Sequence, residues 1–158
     1  MKGGGNLKIK LEINPDCKET EVTIYAAKMN AEIEKLYKML QDGEKNLNQI
    51  EGFKDNISYY LDLSEILFFE TDSKVVMAHT AKNAYQVKNK LYELEEILGS
   101  NFMRVAKSTI LNLDQIHAIT RSISNCQIQF QNSYKTVYVS RHYYRDLRNR
   151  LNERRQLS

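Results

Sequence analysis

The amino-acid sequence predicts a mainly β domain with small helices and antiparallel pairing, preceded by a short strand-strand-helix segment. Runs such as "NISYYLDL", "ILFFET" and "CQIQFQNSYKTVYVS" are rich in β-branched and aromatic residues and are separated by short polar turns. Apolar residues at spacings of three and four are confined to a few short stretches, so helices are few. A chain of 158 residues, 42% hydrophobic and 27% charged, is long enough to bury one main core.

The elements follow in order. "LKIKLEI" alternates Leu7, Ile9, Leu11 and Ile13 with polar partners, which predicts a half-buried strand ended by Pro15, and "EVTIY" repeats the pattern. Met29, Ile33, Leu36, Tyr37 and Leu40 then form an apolar stripe on a charged helix. The polar "QDGEKNLNQ" closes that helix and divides the chain, giving an N-terminal segment over 1–46 and a main domain over 47–158. In the main domain "NISYYLDL" and "ILFFET" are strands, and "TDSK" turns the second into "VVMAHT". "VKNKLYELEEILG" carries Val87, Leu91, Leu94 and Leu98 at helical spacing, with Gly99 placed to cap its end. "FMRV" is a strand. In "CQIQFQNSYKTVYVS", Cys126, Ile128 and Phe130 alternate with glutamines, "QNS" turns, and Val137 and Val139 return. "SRHYYRDLRNRL" closes as a helix with Ser140 as N-cap and Tyr144, Leu147 and Leu151 on one face.

Several function classes are disfavoured. Cys17 and Cys126 are far apart, with no C-x-x-C spacing, so both read as reduced thiols. His79, His117 and His142 stand singly and form no metal-ligand motif, so no metal and no cofactor are expected. There is no G-x-S-x-G elbow and no phosphate-binding glycine loop with a following lysine, which argues against an enzyme. No apolar run approaches the ~18 residues of a membrane span, and the first ten residues lack a signal-peptide core, so a cytoplasmic protein is expected.

Charge is unevenly placed. Residues 1–70 hold nine Lys and Arg against thirteen Asp and Glu, a net −4, whereas residues 71–158 hold fourteen against seven, a net +7. A basic half attracts polyanions. Within it, "FMRVAKSTILNL" has the hydrophobicity of a buried element, yet Lys107, Ser108 and Thr109 interrupt it with a cation and two hydroxyls, groups suited to phosphate oxygens. Lys74 beyond the "TDSK" turn, and Arg141 with His142 at a strand-to-helix junction, are similar in kind. Loops on a rigid β scaffold are good positions for recognition groups.

In order and spacing, "ILFFETDSKVVMAHT", "KLYELEEILGSNFMRVAKSTILNLDQIHAI" and "VYVSRHYYRDLRNRL" resemble the LytTR family of bacterial DNA-binding domains, over roughly Ile50 to Leu151. The resemblance implies an elongated antiparallel β fold that inserts loops into the major groove of double-stranded DNA at paired direct repeats in promoters. Two protomers commonly sit side by side on such sites, so a homodimer is expected at least on DNA. Carried over by position, the DNA-facing residues are Lys74, Lys107, Ser108 and Arg141, with His142, Arg104, Thr109, Lys135, Arg145 and Arg148 as further DNA-binding candidates. Many relatives carry His-Arg-Ser or His-Asn-Ser where this chain has Ala106-Lys107-Ser108, and lysine is the less directional reader. The strand-strand-helix segment is similar to the extension of stand-alone members that lack a receiver domain, and about 45 residues cannot form a doubly wound receiver. Such members often work with a small membrane protein, so sequestration by one is expected.

Two other readings fit the residues. One is a protein-interaction module whose basic tail is incidental. The other is a single-stranded RNA binder that stacks bases on Tyr134 and Tyr138 beside Lys135.

Overall fold

The computed structural model describes residues 7–156, which divide into two units, one ending at Tyr37 and one beginning at Lys38. In the first, the expected strands do not form. Residues 7–13 carry no ladder pairing, and Ile9, Leu11 and Ile13 are 88%, 82% and 81% exposed. Alternation specifies a strand only where a partner completes its hydrogen bonds, and none does so among the described residues. The backbone turns at Asn14, whose side chain accepts the Asp16 N–H at 3.0 Å. Helix α1 spans Ala31–Leu47, with the Asn30 side chain accepting the Ile33 N–H at 2.9 Å as its N-cap. It therefore continues through Gly43 and most of the polar stretch expected to close it, and Met29 lies before its start.

From Lys38 onward, the described residues form ten strands in two antiparallel sheets. The larger has the order β2-β1-β5-β4-β3-β7-β6. Its strands are β1 Gln49–Lys54, β2 Ile57–Asp62, β3 Phe68–Asp72, β4 Val75–His79, β5 Ala84–Val87, β6 Phe102–Ala106 and β7 Thr109–Asn112. The smaller has the order β10-β9-β8, from β8 Ile116–Arg121, β9 Cys126–Phe130 and β10 Thr136–Val139. Helix α2, Leu91–Ile97, and helix α3, Arg141–Gln156, complete the fold.

Four strands escape the sequence reading: β1, β5 and β8 because each is short or broken by polar residues, and β7 because it follows the Lys107-Ser108 interruption directly after "FMRV". β1 left one legible signal, the Asp55-Asn56 pair that joins it to β2 with positive φ at both residues (52° and 63°), as a two-residue hairpin turn requires. Gly52 in β1 leaves room for its neighbours: a Cβ there would lie 2.8 Å from Leu61 Cδ1 and 2.8 Å from Tyr85 Cβ. The helix expected from Val87 is shorter than its apolar spacing implies. Val87 ends β5 and pairs with Val76, leaving a seven-residue α2, and Gly99 takes no left-handed conformation.

The continuous hydrophobicity of "ILFFET" and "TILN" has a direct cause, because the large sheet is covered on both faces at β3 and β7. Phe69 and Ile110 join Val76, Phe102 and the α2 residues Leu91 and Leu94 in one core. Their chain neighbours Phe68 and Leu111 point the other way, into a second core with Ile128, Phe130 and Val139 of the small sheet and Leu147 of α3. As expected, Leu147 is the buried residue of the α3 apolar face, with Tyr144 and Leu151 packed beside it.

His79 helps to lock the two layers. Its ring stacks on Phe68 at 4.3 Å, and Phe68 in turn stacks on Phe130 at 5.4 Å. Its Nδ1 lies 3.3 Å from Lys135 Nζ, and its Nε2 3.8 Å from Glu70 Oε2. Burial, aided by the Lys135 ammonium, lowers its pKa from 6.5 to about 4. The neutral ring thus accepts from Lys135 at Nδ1 and keeps its proton on Nε2. Because the unfolded chain takes up this proton below pH 6.5 and the folded one does not until about pH 4, stability is lost as pH falls through that window. The shift from 6.5 to about 4 corresponds to roughly 3 kcal/mol. Chemical denaturation between pH 7 and 4 is expected to show a smaller acid-side loss for His79→Phe than for the parent chain.

Candidate nucleic-acid interface

The polar interruption in "FMRVAKSTILNL" is a hairpin turn. β6 and β7 pair antiparallel, Ala106 opposite Thr109, so Lys107 and Ser108 form the reversal and are exposed. A bulge between Arg104 and Ala106 lets the strand end tightly, with Val105 wholly buried. The Arg104 side chain braces this turn: its Nε donates to the Ala106 carbonyl at 3.2 Å, and its terminal nitrogens to the Lys107 carbonyl and to Glu95 of α2.

The "TDSK" turn also forms as expected. β3 and β4 pair with Asp72 opposite Val75, and Ser73 and Lys74 both take positive φ (49° and 74°). Serine and lysine in this region carry a Cβ penalty that glycine avoids, about 1–2 kcal/mol per residue.

Two backbone hydrogen bonds bring the polar corners together. The Thr71 N–H donates to the Ser108 carbonyl at 2.9 Å, placing the β3–β4 and β6–β7 turns at the same end of the large sheet. The Ser140 N–H donates to the Val105 carbonyl at 2.9 Å, setting the β10–α3 junction and Arg141 beside the same end of β6. Lys74, Lys107 and Arg141, remote in sequence, thus stand along one rim. The midlines of the two hairpins are two strand spacings apart, roughly 10 Å. Among the described residues, none of these three cations has an ion pair or side-chain hydrogen bond, and all are exposed.

Helix α3 runs away from this rim along β6, since Arg150 near its far half donates to the Ser100 carbonyl at 3.0 Å, just before β6 begins. Arg141, Arg145 and Arg148, spaced four and three apart, share one exposed face of the helix. His142 is exposed at the rim with its ring edge against Tyr143, centroids 5.1 Å apart. The later Arg154 is engaged by Asp114. The first turn of α3 holds no acidic residue, and its cations face the positive end of the helix dipole.

Three sequence candidates have other roles. Thr109 is 4% exposed and faces the interior as the first residue of β7. Lys135 lies at the opposite end of the sheet, beyond the start of β10, where its Nζ donates to the Asn83 carbonyl at 2.6 Å. Burial first, and then neighbouring Lys54, lowers its pKa. Arg104 has its guanidinium nitrogens occupied and acts as a support for the turn. Contacts between distant segments made these assignments, which the sequence order of the residues does not contain.

Residues 56–152 match the LytTr DNA-binding domain model. The chain belongs to the LytTR family of DNA-binding domains. Transcriptional regulators of Staphylococcus aureus, described as uncharacterized and of HTH type, are 28% identical over 145 residues, which is 92% of this chain and 98% of theirs. A LytTr DNA-binding domain from Bacillus cereus shares the fold, with a TM-score of 0.61 at 23% identity over 66% of this chain and 96% of that one. LytTR domains bind DNA and are not an enzyme family. Among the described residues of this LytTR chain no two helices form a helix-turn-helix, since α2 and α3 are separated by five strands. No helix among them is long and apolar enough to cross a membrane.

Arg104→Ala removes one side chain that ties α2 to the turn, so it is expected to lower stability by about 1–2 kcal/mol. Amide exchange should speed up at Lys107 and Ser108 while the β1–β2 hairpin keeps its protection.

Proposed function

We propose that this chain is a transcriptional regulator that reads double-stranded DNA through the rim carrying Lys74, Lys107, Ser108 and Arg141. The observation that supports it is the convergence of three separately encoded turns, each ending in an exposed, unpaired cation, through the two backbone bonds to Ser108 and Val105. A separation of roughly 10 Å between neighbouring hairpin turns is commensurate with the ~12 Å width of a major groove.

Two local costs fall on the same rim. Lys74 occupies a left-handed position where glycine is cheaper, and Arg141 and His142 begin a helix whose first turn favours acidic residues. Departures from local preference concentrate at functional sites, and an anionic partner offsets the second of these costs. In this reading Arg141 makes the directional base contact, because a guanidinium can hold guanine O6 and N7 together. Lys107 and Lys74 supply less directional contacts, Ser108 a hydroxyl to phosphate, and Arg145 and Arg148 hold the backbone. Paired direct repeats, occupied by two protomers, are the operator arrangement proposed here, in the cytoplasm. Sequestration by a small membrane protein is the proposed control, received through the N-terminal segment before residue 47.

Selection of preferred sites from a random duplex library, followed by binding titrations at several salt concentrations, tests this function. Arg141→Ala is expected to lower discrimination at particular base pairs by about 1–3 kcal/mol. Arg148→Ala should weaken all duplexes alike and reduce the magnitude of the salt slope by about one. If the Arg141→Ala chain instead binds each duplex as tightly as the parent does, with the same preferences, Arg141 is not a base reader.

A further inference from the structure

A fourth turn stands beside the three. β8 and β9 pair with Arg121 opposite Cys126, and Cys126 is opposite Val139 of β10, so the turn over 122–125 lies next to the β10–α3 junction. Between this turn and the first two turns of α3 is a cleft of about 620 Å³, lined on one side by Arg121, Ser122 and Asn125 and on the other by Arg141 and Tyr144. No aspartate or glutamate lines it. Arg121 is held over the Tyr144 ring, its guanidinium carbon 4.3 Å from the centroid, which orients the fork without neutralising its charge. Arg141 has no ion-pair partner among the described residues. Ser122 closes the turn by accepting the Asn125 N–H at 3.1 Å, and Ile123 at its tip is 104% exposed, packed against nothing.

We propose that this cleft seats a phosphate of the DNA backbone, held by Arg121 and flanked by Arg141, so that the β8–β9 turn is a fourth element of the interface. The proposal rests on the DNA-reading function given above and adds to it a seat outside the three loops. A planar guanidinium fixed by stacking on an aromatic ring is preorganised for a tetrahedral anion, and the Arg141 charge beside it adds positive potential to the seat without itself gripping the phosphate. Contact with a phosphate carries no base information, so Arg121 contributes affinity and register while Arg141 keeps its directional role.

The test uses the full chain and compares Arg121→Ala, Arg121→Lys and Ile123→Glu with the parent on preferred and scrambled duplexes across salt. Arg121→Ala is expected to weaken both duplexes about tenfold, lower the magnitude of the salt slope by about one and leave base preference unchanged. Arg121→Lys, which keeps the charge and loses the fork, should fall between. Ile123→Glu alters a side chain that touches nothing in the fold, so it decides the matter even if an Arg121 variant fails to fold, and it should weaken both duplexes at low salt. Parent-like binding by Ile123→Glu and by any folded Arg121→Ala chain, alongside lost preference in Arg141→Ala, overturns the fourth contact and leaves the function standing. A parent chain that prefers no duplex overturns both. Thermal unfolding with inorganic phosphate at matched ionic strength separates the two sources of the anion. Stabilisation of the parent but not of a folded Arg121→Ala chain, with duplex binding parent-like in Arg121→Ala and Ile123→Glu, would assign the cleft to a free phosphate and overturn the proposal.

Discussion

The rim that carries Lys74, Lys107 and Arg141 depends on two amide-to-carbonyl contacts, Thr71 to Ser108 and Ser140 to Val105, each 2.9 Å long. A single backbone hydrogen bond contributes only about 0.5–1.5 kcal/mol net, so their weight in overall stability is small. Their weight in geometry is large, because each fixes where one turn sits relative to the next. One aligns the β3–β4 hairpin with the β6–β7 hairpin, and the other attaches the start of α3 to the end of β6. Arg104 adds a third restraint by holding the Lys107 carbonyl from inside. The cations at the rim are held by backbone and by a half-buried brace, which leaves their own side chains free for a ligand.

That rim is supported by two strands, β3 and β7, buried on both sides. Phe68 and Phe69, adjacent in sequence, enter different cores, as do Ile110 and Leu111. β3 and β7 therefore cannot slip by one residue without exchanging two sets of packed side chains, and register at the two turns is specified by the packing behind them. Asn112, wholly buried, fixes the far end of β7. Its amide donates to the Ile66 carbonyl at 2.9 Å and its oxygen accepts the Asp114 N–H at 3.0 Å. A polar side chain that is fully satisfied in this way favours one arrangement over near alternatives. At the same end of the sheet, away from the rim, His79 and Lys135 perform a similar function between layers, which is why Lys135 is not available to the rim.

The main strands and the last helix were legible because their signals are local. "TDSK" and "CQIQF…VYVS" carry alternation and turn chemistry within ten or fifteen residues, and Tyr144, Leu147 and Leu151 mark one helical face. Signals that needed a partner misled. The alternation of Leu7 to Ile13 meets no neighbouring strand, and Val87 shares helical spacing with Leu91 while lying in β5. β8 gave little sign of itself, since only Ile116 and Ala118 of its six residues are even half-buried. Among the candidate contacts, Lys74, Lys107, Ser108 and Arg141 fall at turns as their neighbours suggested. Thr109 was read as part of the polar interruption, and Lys135 and Arg104 as cations of the basic half, and neither signal says which groups a folded chain consumes internally.

By itself the sequence determined the main strands that flank short turns in the β domain, where charge accumulates, and that lysine, serine and arginine occupy reversals between apolar runs. These follow from side-chain periodicity and turn preference, which act over a few residues. Only the tertiary structure decided that the reversals share one rim, that Arg121 joins Arg141 across a cleft, and which cations are already spent. Those outcomes come from pairing between strands remote in sequence, such as Phe68 with Leu111 in the large sheet and Cys126 with Val139 in the small one, and such pairings are set by the packing of whole layers.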